Sequence, residues 1–278
     1  MSVPADDRGL LLSDGLFETI LWSDGRPVLF EAHAERMIRG CVTLGLPTPE
    51  PDALRAAAEE AVASIAAPRI AVRLTWTAGS GGRGLDRPGE AKPRLIASAA
   101  PAPRPQGFAT LITSTVRRNE GSPASRLKTL AYLDNVLARR EARGAGADEA
   151  LMLNLAGEVA CAAAANLFWF ERRDLTVTAP TLHTDFIYEI SELVTPALSC
   201  GALDGVVRSE ILRLAQATGV KVREVRALRP DLDRAVGLFL TNSLIGIRPV
   251  ARLDGAPVTP CSGVDELQIA LSDQLSGI

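Results

Sequence analysis

The stretch Ser125–Arg143, SRLKTLAYLDNVLARREAR, holds a single lysine, Lys128, with Leu127, Leu130 and Leu133 close by. An ammonium group held beside apolar side chains is costly, so its pKa falls, and an amine poised near neutrality suits Schiff-base chemistry with a carbonyl. Taken alone, the stretch is equally the start of a helix from which a surface lysine snorkels. From Leu130 onward the apolar residues recur at helical spacing and the charges gather at the C-terminal end. The spacing therefore predicts a helix from about Leu130, with Lys128 at or just before its start.

Four other groups carry chemistry by type and spacing. GSGGRG at Gly79–Gly84 would either cradle an anion on backbone N–H groups, with Arg83 pairing to a carboxylate or phosphate, or form a flexible hairpin. Gly205–Val206–Val207–Arg208 puts free amides at the mouth of a helix, which is a phosphate seat by geometry. Thr241–Asn242–Ser243, after an apolar strand, would cap a helix or bond a phosphate. His33 and Arg36 stand three apart on a helix and can point the same way.

The elements that must position these groups alternate between strand and helix patterns. Leu10–Leu21 breaks at Ser13–Asp14–Gly15 and resumes as a strand, Asp24–Gly25 makes a hairpin turn, and Val28–Phe30 returns. Glu31–Leu44 reads as a helix and Asp52 as the cap of the alanine-rich helix that follows. Strands are expected at Arg69–Thr77, Lys92–Ala100, Phe108–Arg117 and Asp148–Leu155, with Glu158–Phe170 carrying two more through a small-residue bend. Arg208–Thr218 is a helix ended by Gly219, followed by strands at Val220–Val225 and Leu238–Thr241 and a closing helix at Asp265–Leu275. Pro101–Gly107, PAPRPQG, is the expected linker between a domain at residues 1–100 and another at 108–278.

Composition narrows the classes. A net charge of −3 leaves no basic face for nucleic acid, and no apolar run is long enough to cross a bilayer. Four scattered cysteines without CxxC spacing argue against a disulfide framework and for a reducing cytoplasm, and two histidines exclude a multi-histidine metal site.

Read in order, DGLFET (Asp14–Thr19), HAER (His33–Arg36), GSGGRG, LKTLAYLDNVLA (Leu127–Ala138), GADEALMLNLAGEV (Gly146–Val159), ANLFW (Ala165–Trp169), LVTPALSCGALDGVVR (Leu193–Arg208) and LTNSLIGIRPV (Leu240–Val250) span nearly the whole chain. Together they resemble the class IV aminotransferase family, the fold type IV pyridoxal 5′-phosphate (PLP) enzymes. GSGGRG and the AANLFW ending look most like its 4-amino-4-deoxychorismate lyase branch. The resemblance implies a two-domain α/β (α+β) fold like that of D-amino-acid aminotransferase. The smaller domain would be N-terminal, the larger would carry a barrel-like sheet, and the cofactor cleft would lie between them in a homodimer. It implies that Lys128 forms the Schiff base with PLP and moves the proton at the substrate α-carbon. Arg36, the amides of Val206 and Val207, and Ser243 would hold the phosphate, and Tyr132 would approach the phenolic oxygen. Arg83 would read a substrate carboxylate, and Phe17 would line the pocket.

The departures from the family pattern sharpen the expectation. In GxVxE…NxF a glutamate pairs with the pyridine nitrogen; here that position is Cys161. A thiol hydrogen-bonds only weakly, so the ring draws fewer electrons from the α-carbon. Elimination driven by aromatisation tolerates this better than reversible transamination does. Glu158, three residues earlier, points to the other face of the strand. Ala131 replaces a frequent asparagine, and an insertion at Arg172–Glu192 carries His183, Asp185 and Tyr188. The favoured function is lyase-like, releasing pyruvate from aminodeoxychorismate to leave p-aminobenzoate. The alternatives are a transaminase for D- or branched-chain amino acids and a PLP-binding protein with little catalysis. The partner is a small amino-acid-like molecule, not a nucleic acid or a membrane.

Overall fold

The structure is a computed structural model and describes residues 3–172 and 190–277. The insertion residues His183, Asp185 and Tyr188 lie outside that range. The chain divides into two compact units. The first takes everything up to Gln106 together with Gly121–Asp134 and Ser243–Ile245, and the second takes Gly107–Glu120, Asn135–Asn242 and Gly246 onward. The lysine segment and Ser243 thus belong to the first unit.

That unit is a four-stranded antiparallel sheet in the order β2-β1-β3-β4, formed by β1 (Gly15–Ser23), β2 (Arg26–Pro27), β3 (Arg69–Thr77) and β4 (Arg94–Pro101). Asp24 and Gly25 both have positive φ, which is the turn an Asp-Gly pair favours between right-twisted strands. Before β1 runs α1 (Arg8–Leu12), and α2 (Phe30–Leu44) and α3 (Pro51–Val62) pack against the sheet. Alternation on β1 and β3 sends Leu16, Ile20, Ile70, Val72 and Leu74 into one core with Ala34, Met37 and Cys41 of α2 and Leu54 and Ala58 of α3. The helix α3 is not capped by Asp52. Pro51 takes the first helical position, where its missing N–H costs nothing, so Glu50 is the N-cap.

The second unit is a large mixed sheet. Among the described residues its order is β10-β9-β8-β11-β12-β5-β6-β7, with β13 paired to β12. The strands are β5 (Ala109–Thr113), β6 (Glu149–Leu153), β7 (Val159–Ala162), β8 (Asn166–Arg172), β9 (Ile190–Pro196), β10 (Lys221–Val225), β11 (Val236–Asn242), β12 (Gly246–Leu253) and β13 (Ala256–Pro257). This is the curled sheet expected of the larger domain. Its helices include α5 (Leu133–Gly144), α6 (Val206–Ala217) and α7 (Ser262–Gly277), and the short α4 (Pro123–Arg126) precedes the lysine in the first unit.

One expectation about the lysine fails. The helix begins at Leu133, not Leu130, because the backbone before it pairs with β1 instead. The Phe17 N–H donates to the Lys128 carbonyl at 2.9 Å, Thr129 bridges Leu16, and the Leu130 N–H donates to the Gly15 carbonyl at 3.1 Å. Lys128 is therefore held on an extended segment laid against the first strand, and its backbone has no helical freedom to fray.

Candidate active site

Strand β1 presents two faces. Leu16 and Ile20 enter the core, yet Glu18 sits between them on the same face, 1 % exposed. A carboxylate buried this deeply must be matched by donors. It is: His33 Nδ1 lies 2.7 Å from Oε2, Arg36 Nε donates to Oε1 at 2.8 Å, and Arg36 Nη2 donates to Oε2 at 2.5 Å. Burial opposes ionisation of Glu18, but the Arg36 charge and the bonds from Arg36 and His33 outweigh it and hold the carboxyl at about 2. The expected shared direction of His33 and Arg36 is this common grip on Glu18. On the far side of the ring, His33 Nε2 lies 3.1 Å from the Ser243 hydroxyl. Ser243 is kept in this unit by Arg69, whose Nη2 donates to the Leu244 carbonyl at 2.6 Å.

The other face of β1 carries Phe17, and the Lys128 amine sits against it. Nζ lies 4.4 Å from the Phe17 ring centre and bonds the Tyr132 hydroxyl at 3.4 Å, while the Phe17 and Tyr132 rings meet edge to face at 4.9 Å. Burial in this aromatic corner is the main cause that brings the Lys128 amine down to about 8. Glu18 pulls it back up, and Arg36 and Arg73 push it down. A fraction of the amine is thus neutral at physiological pH, which a nucleophile toward a carbonyl needs. Lys128 is half-buried, with its amine against two rings, unlike an ordinary exposed surface lysine.

Arg73 was not singled out from the sequence. Register pairs Arg73 with Thr19 and Thr75 with Phe17, so Arg73 lies diagonally beside Phe17, with its guanidinium 3.7 Å above the ring centre. The sequence carried little signal for it: Arg73 falls on the polar face of the alternating strand RIAVRLTWT, where an arginine is ordinary. Glu18 was also missed, and its signal was a charge at an inward position of a strand.

Arg83 is placed differently. It lies exposed at the tip of the glycine-rich loop, where its backbone pairs with Asp86. Two amides of that loop are taken within the chain, Arg83 N–H by the Asp86 carbonyl and Gly79 N–H by the Thr77 hydroxyl. The loop's carbonyls turn toward a guanidinium of the same chain: Arg8, almost fully buried, donates to Gly84, Leu85 and Asp86 and pairs with Asp14, which Arg87 also grips. Gly82, at φ +85°, is required there, since a Cβ would fall 2.1 Å from the Asp86 carbonyl oxygen.

The remaining candidates lie in the second unit. Val206 and Val207 open α6 with Gly205 as N-cap, and no side chain caps the helix, so its first amides are available to an anion. A Cβ at Gly205 would strike Asn166 Oδ1 at 2.1 Å, so only glycine lets the Asn166 side chain approach the mouth of this helix. Helix α6 starts two residues before the sequence pattern indicated. Cys161, on β7 opposite Met152, is buried among Ala138, Ala142, Ala150 and Ala160, and burial pushes its thiol up, leaving it neutral. Glu158 is occupied elsewhere by Arg226, Asn154 and Cys200. Asn242 donates to the Ala164 carbonyl, and no helix follows it to be capped. Among the described residues no cluster of His, Cys, Asp and Glu could hold a metal, and no helix is long and apolar enough to cross a membrane.

The chain is similar in sequence and fold to several known proteins. The structure of 4-amino-4-deoxychorismate lyase from Pseudomonas aeruginosa superimposes with a TM-score of 0.85 at 33% identity, covering 99% of this chain and 96% of that one. A bifunctional aminodeoxychorismate lyase / D-amino acid transaminase of Mycobacterium tuberculosis is 30% identical over 94% of this chain and 89% of its own length. The fold extends to a branched-chain aminotransferase from Thermoproteus uzoniensis, with a TM-score of 0.86 at 22% identity, covering 99% of this chain and 90% of that one. The sequence profile described as amino-transferase class IV matches residues 15–253. With that match spanning both units, the chain belongs to the class IV aminotransferase family.

Proposed function

We propose that this protein is a PLP-dependent carbon–oxygen lyase that releases pyruvate from an aminodeoxychorismate-like substrate. The carrying observation is the Lys128 amine, buried against Phe17 and Tyr132 and brought down to about 8. The residues fit the cofactor's functional groups. An amine with this environment suits an aldehyde. Arg36 and Ser243 offer a cation and a hydroxyl for a phosphate, and the N-terminus of α6 at Val206 and Val207, which no N-cap side chain caps, offers amides of the kind that bind an anion.

When bound, PLP supplies an electron sink for negative charge developing at the substrate α-carbon. The chain's own residues do the rest. Lys128 Nζ takes the α-proton, and the Tyr132 hydroxyl orients that nitrogen. Arg73 offers its guanidinium to a substrate carboxylate beside Phe17, and Arg83 offers a second one from the loop tip. Cys161 would offer the ring nitrogen only a neutral partner, which would disfavour charge on the ring and so favour elimination over amino-group transfer. The lyase description of the Pseudomonas relative supports the same choice, while the Mycobacterium relative is described as both lyase and D-amino acid transaminase. A homodimer and a reducing cytoplasmic setting complete the reading; the second rests on four cysteines that are free in this structure.

Purified protein incubated with PLP should show a visible band that borohydride removes while fixing a cofactor-sized mass on Lys128, and Lys128→Ala should show neither. Turnover should fall by about 10³-fold or more in that variant. Pyruvate release from aminodeoxychorismate then decides the reaction. Amino transfer from D- or branched-chain amino acids without pyruvate release would make the protein a transaminase. Labelling without either turnover would make it a PLP-binding protein.

A further inference from the structure

The bonds around His33 leave Ser243 facing the wrong way for an anion. Glu18 is ionised, so His33 Nδ1, 2.7 Å from its carboxylate, must carry a hydrogen. Burial and the neighbouring cations hold His33 below its usual range despite Glu18, so the ring is neutral and its Nε2 is a bare lone pair. The Ser243 hydroxyl, 3.1 Å away, is then the donor to Nε2. A serine that donates to histidine turns its oxygen lone pairs outward, and lone pairs repel a phosphate.

We propose that binding of a phosphate dianion beside Arg36 and Ser243 is coupled to uptake of one proton by His33. With both ring nitrogens protonated, Nε2–H donates to the Ser243 oxygen and frees its hydroxyl to donate to the phosphate. The inference rests on the phosphate-seat reading given above. The groups facing His33 are Glu18 from β1, Arg36 from its own helix, Lys128 from the segment paired to β1, and Ser243. Helix α3 brings Arg55 to the far side, but it pairs with Glu31 and lies over the Phe30 ring. Against this set a dianion adds negative charge, which favours the imidazolium and raises the His33 pKa in the loaded state. The sign follows. A group whose pKa rises on binding takes up a proton, so affinity weakens as pH increases between the free and loaded pKa values, by at most about tenfold per pH unit.

The test uses the full chain and pyridoxine 5′-phosphate, which carries the phosphate and ring but no aldehyde for Lys128. Ring nitrogen NMR reads the two histidines, His33 and His183, and in His183→Gln the one remaining imidazole signal is that of His33. The His33 ring should be a neutral Nδ1–H tautomer in the free protein at pH 8 and doubly protonated at saturation. The pH dependence of affinity should flatten in His33→Gln. A ring that stays neutral at saturation, or is charged in both states, overturns the coupling while leaving the phosphate seat in place. Failure of the probe to saturate the protein removes the seat and the coupling together.

Discussion

Around Glu18 the first unit buries a carboxylate, an imidazole and a guanidinium in one hydrogen-bonded cluster, and the Lys128 amine on the other face of β1 is coupled to it by charge. Around Cys161 the second unit buries alanines, Met152 and a neutral thiol. The cation nearest Cys161 in chemical effect is Arg118, whose guanidinium is held by the Asn135 side chain and the Gly201 carbonyl. Asn135 in turn donates to the Ala163 carbonyl. The contrast shows where the protein controls protons and where it withholds charge. The first unit has ionised groups whose pKa values are pulled apart, Glu18 down to about 2 and Lys128 down to about 8. That separation lets one group stay fixed as an anion while another exchanges a proton near neutrality. The second unit presents a neutral thiol at the position where the family pattern has a glutamate, with Arg118 and Glu149 as the charges acting on it.

The contrast breaks most severely at Glu18. Glu18→Gln removes the anion and leaves Arg36 and His33 buried without it, so the folded state should lose about 3–5 kcal/mol. Denaturant titration at pH 7 reads this directly, and a loss below about 1 kcal/mol would mean the cluster is not coupled as the distances indicate. The same carboxyl sets an acid limit. Its folded pKa lies below the ordinary value of 4.5, so its contribution is fully present above 4.5 and disappears as pH falls from 4.5 through about 2. Wild type should lose stability across that window, and Glu18→Gln should lose less.

Why this cluster was only half legible in the sequence follows from its geometry. His33 and Arg36 share a helix face, and spacing on one helix is visible in one dimension. Glu18 comes from a strand, and its meeting with them depends on how α2 packs on β1. The strand Arg69–Thr77 and the turn at Asp24–Gly25 were legible because their signals are local. The helix at Leu130 was misplaced because pairing of Thr129 and Leu130 with β1 overrides helical spacing, and no local pattern encodes a partner more than a hundred residues away. Asp52 lost the cap of α3 to a competing local signal, the proline beside it.

Arg73 sharpens the comparison inside the first unit. Its guanidinium over Phe17 is preorganised by stacking, and a carboxylate placed there would gain charge-assisted bonds. Arg73→Ala should raise KM by about 10–100-fold, equivalent to a charged hydrogen bond of about 1.5–3 kcal/mol, with a smaller change in kcat. An unchanged KM would assign the carboxylate elsewhere.

Cys161→Glu tests the neutral thiol from the other side. It would put a carboxylate near Arg118 and give the ring nitrogen a charged partner. The ratio of amino transfer to elimination should rise by about tenfold, the worth of roughly 1.4 kcal/mol between the two barriers. Product analysis by keto acid and pyruvate release measures that ratio. A stable variant whose ratio does not move would sever the link between the thiol and reaction choice.

Arg83 should give the smallest effect, and the reason is physical placement rather than residue type. Both arginines are exposed and screened by solvent, but Arg83 stands at a loop tip whereas the Arg73 guanidinium is held over the Phe17 ring. Arg83→Ala should therefore leave stability within about 0.5 kcal/mol and raise KM by about fivefold or less. Arg73 and Arg83 form a double-mutant pair. If both read the same carboxylate, their effects on KM fall short of additive; if Arg83 acts separately, they add. A larger loss at Arg83 than at Arg73 would mean that the loop tip is desolvated in the working enzyme, which would place it against another chain or the substrate itself.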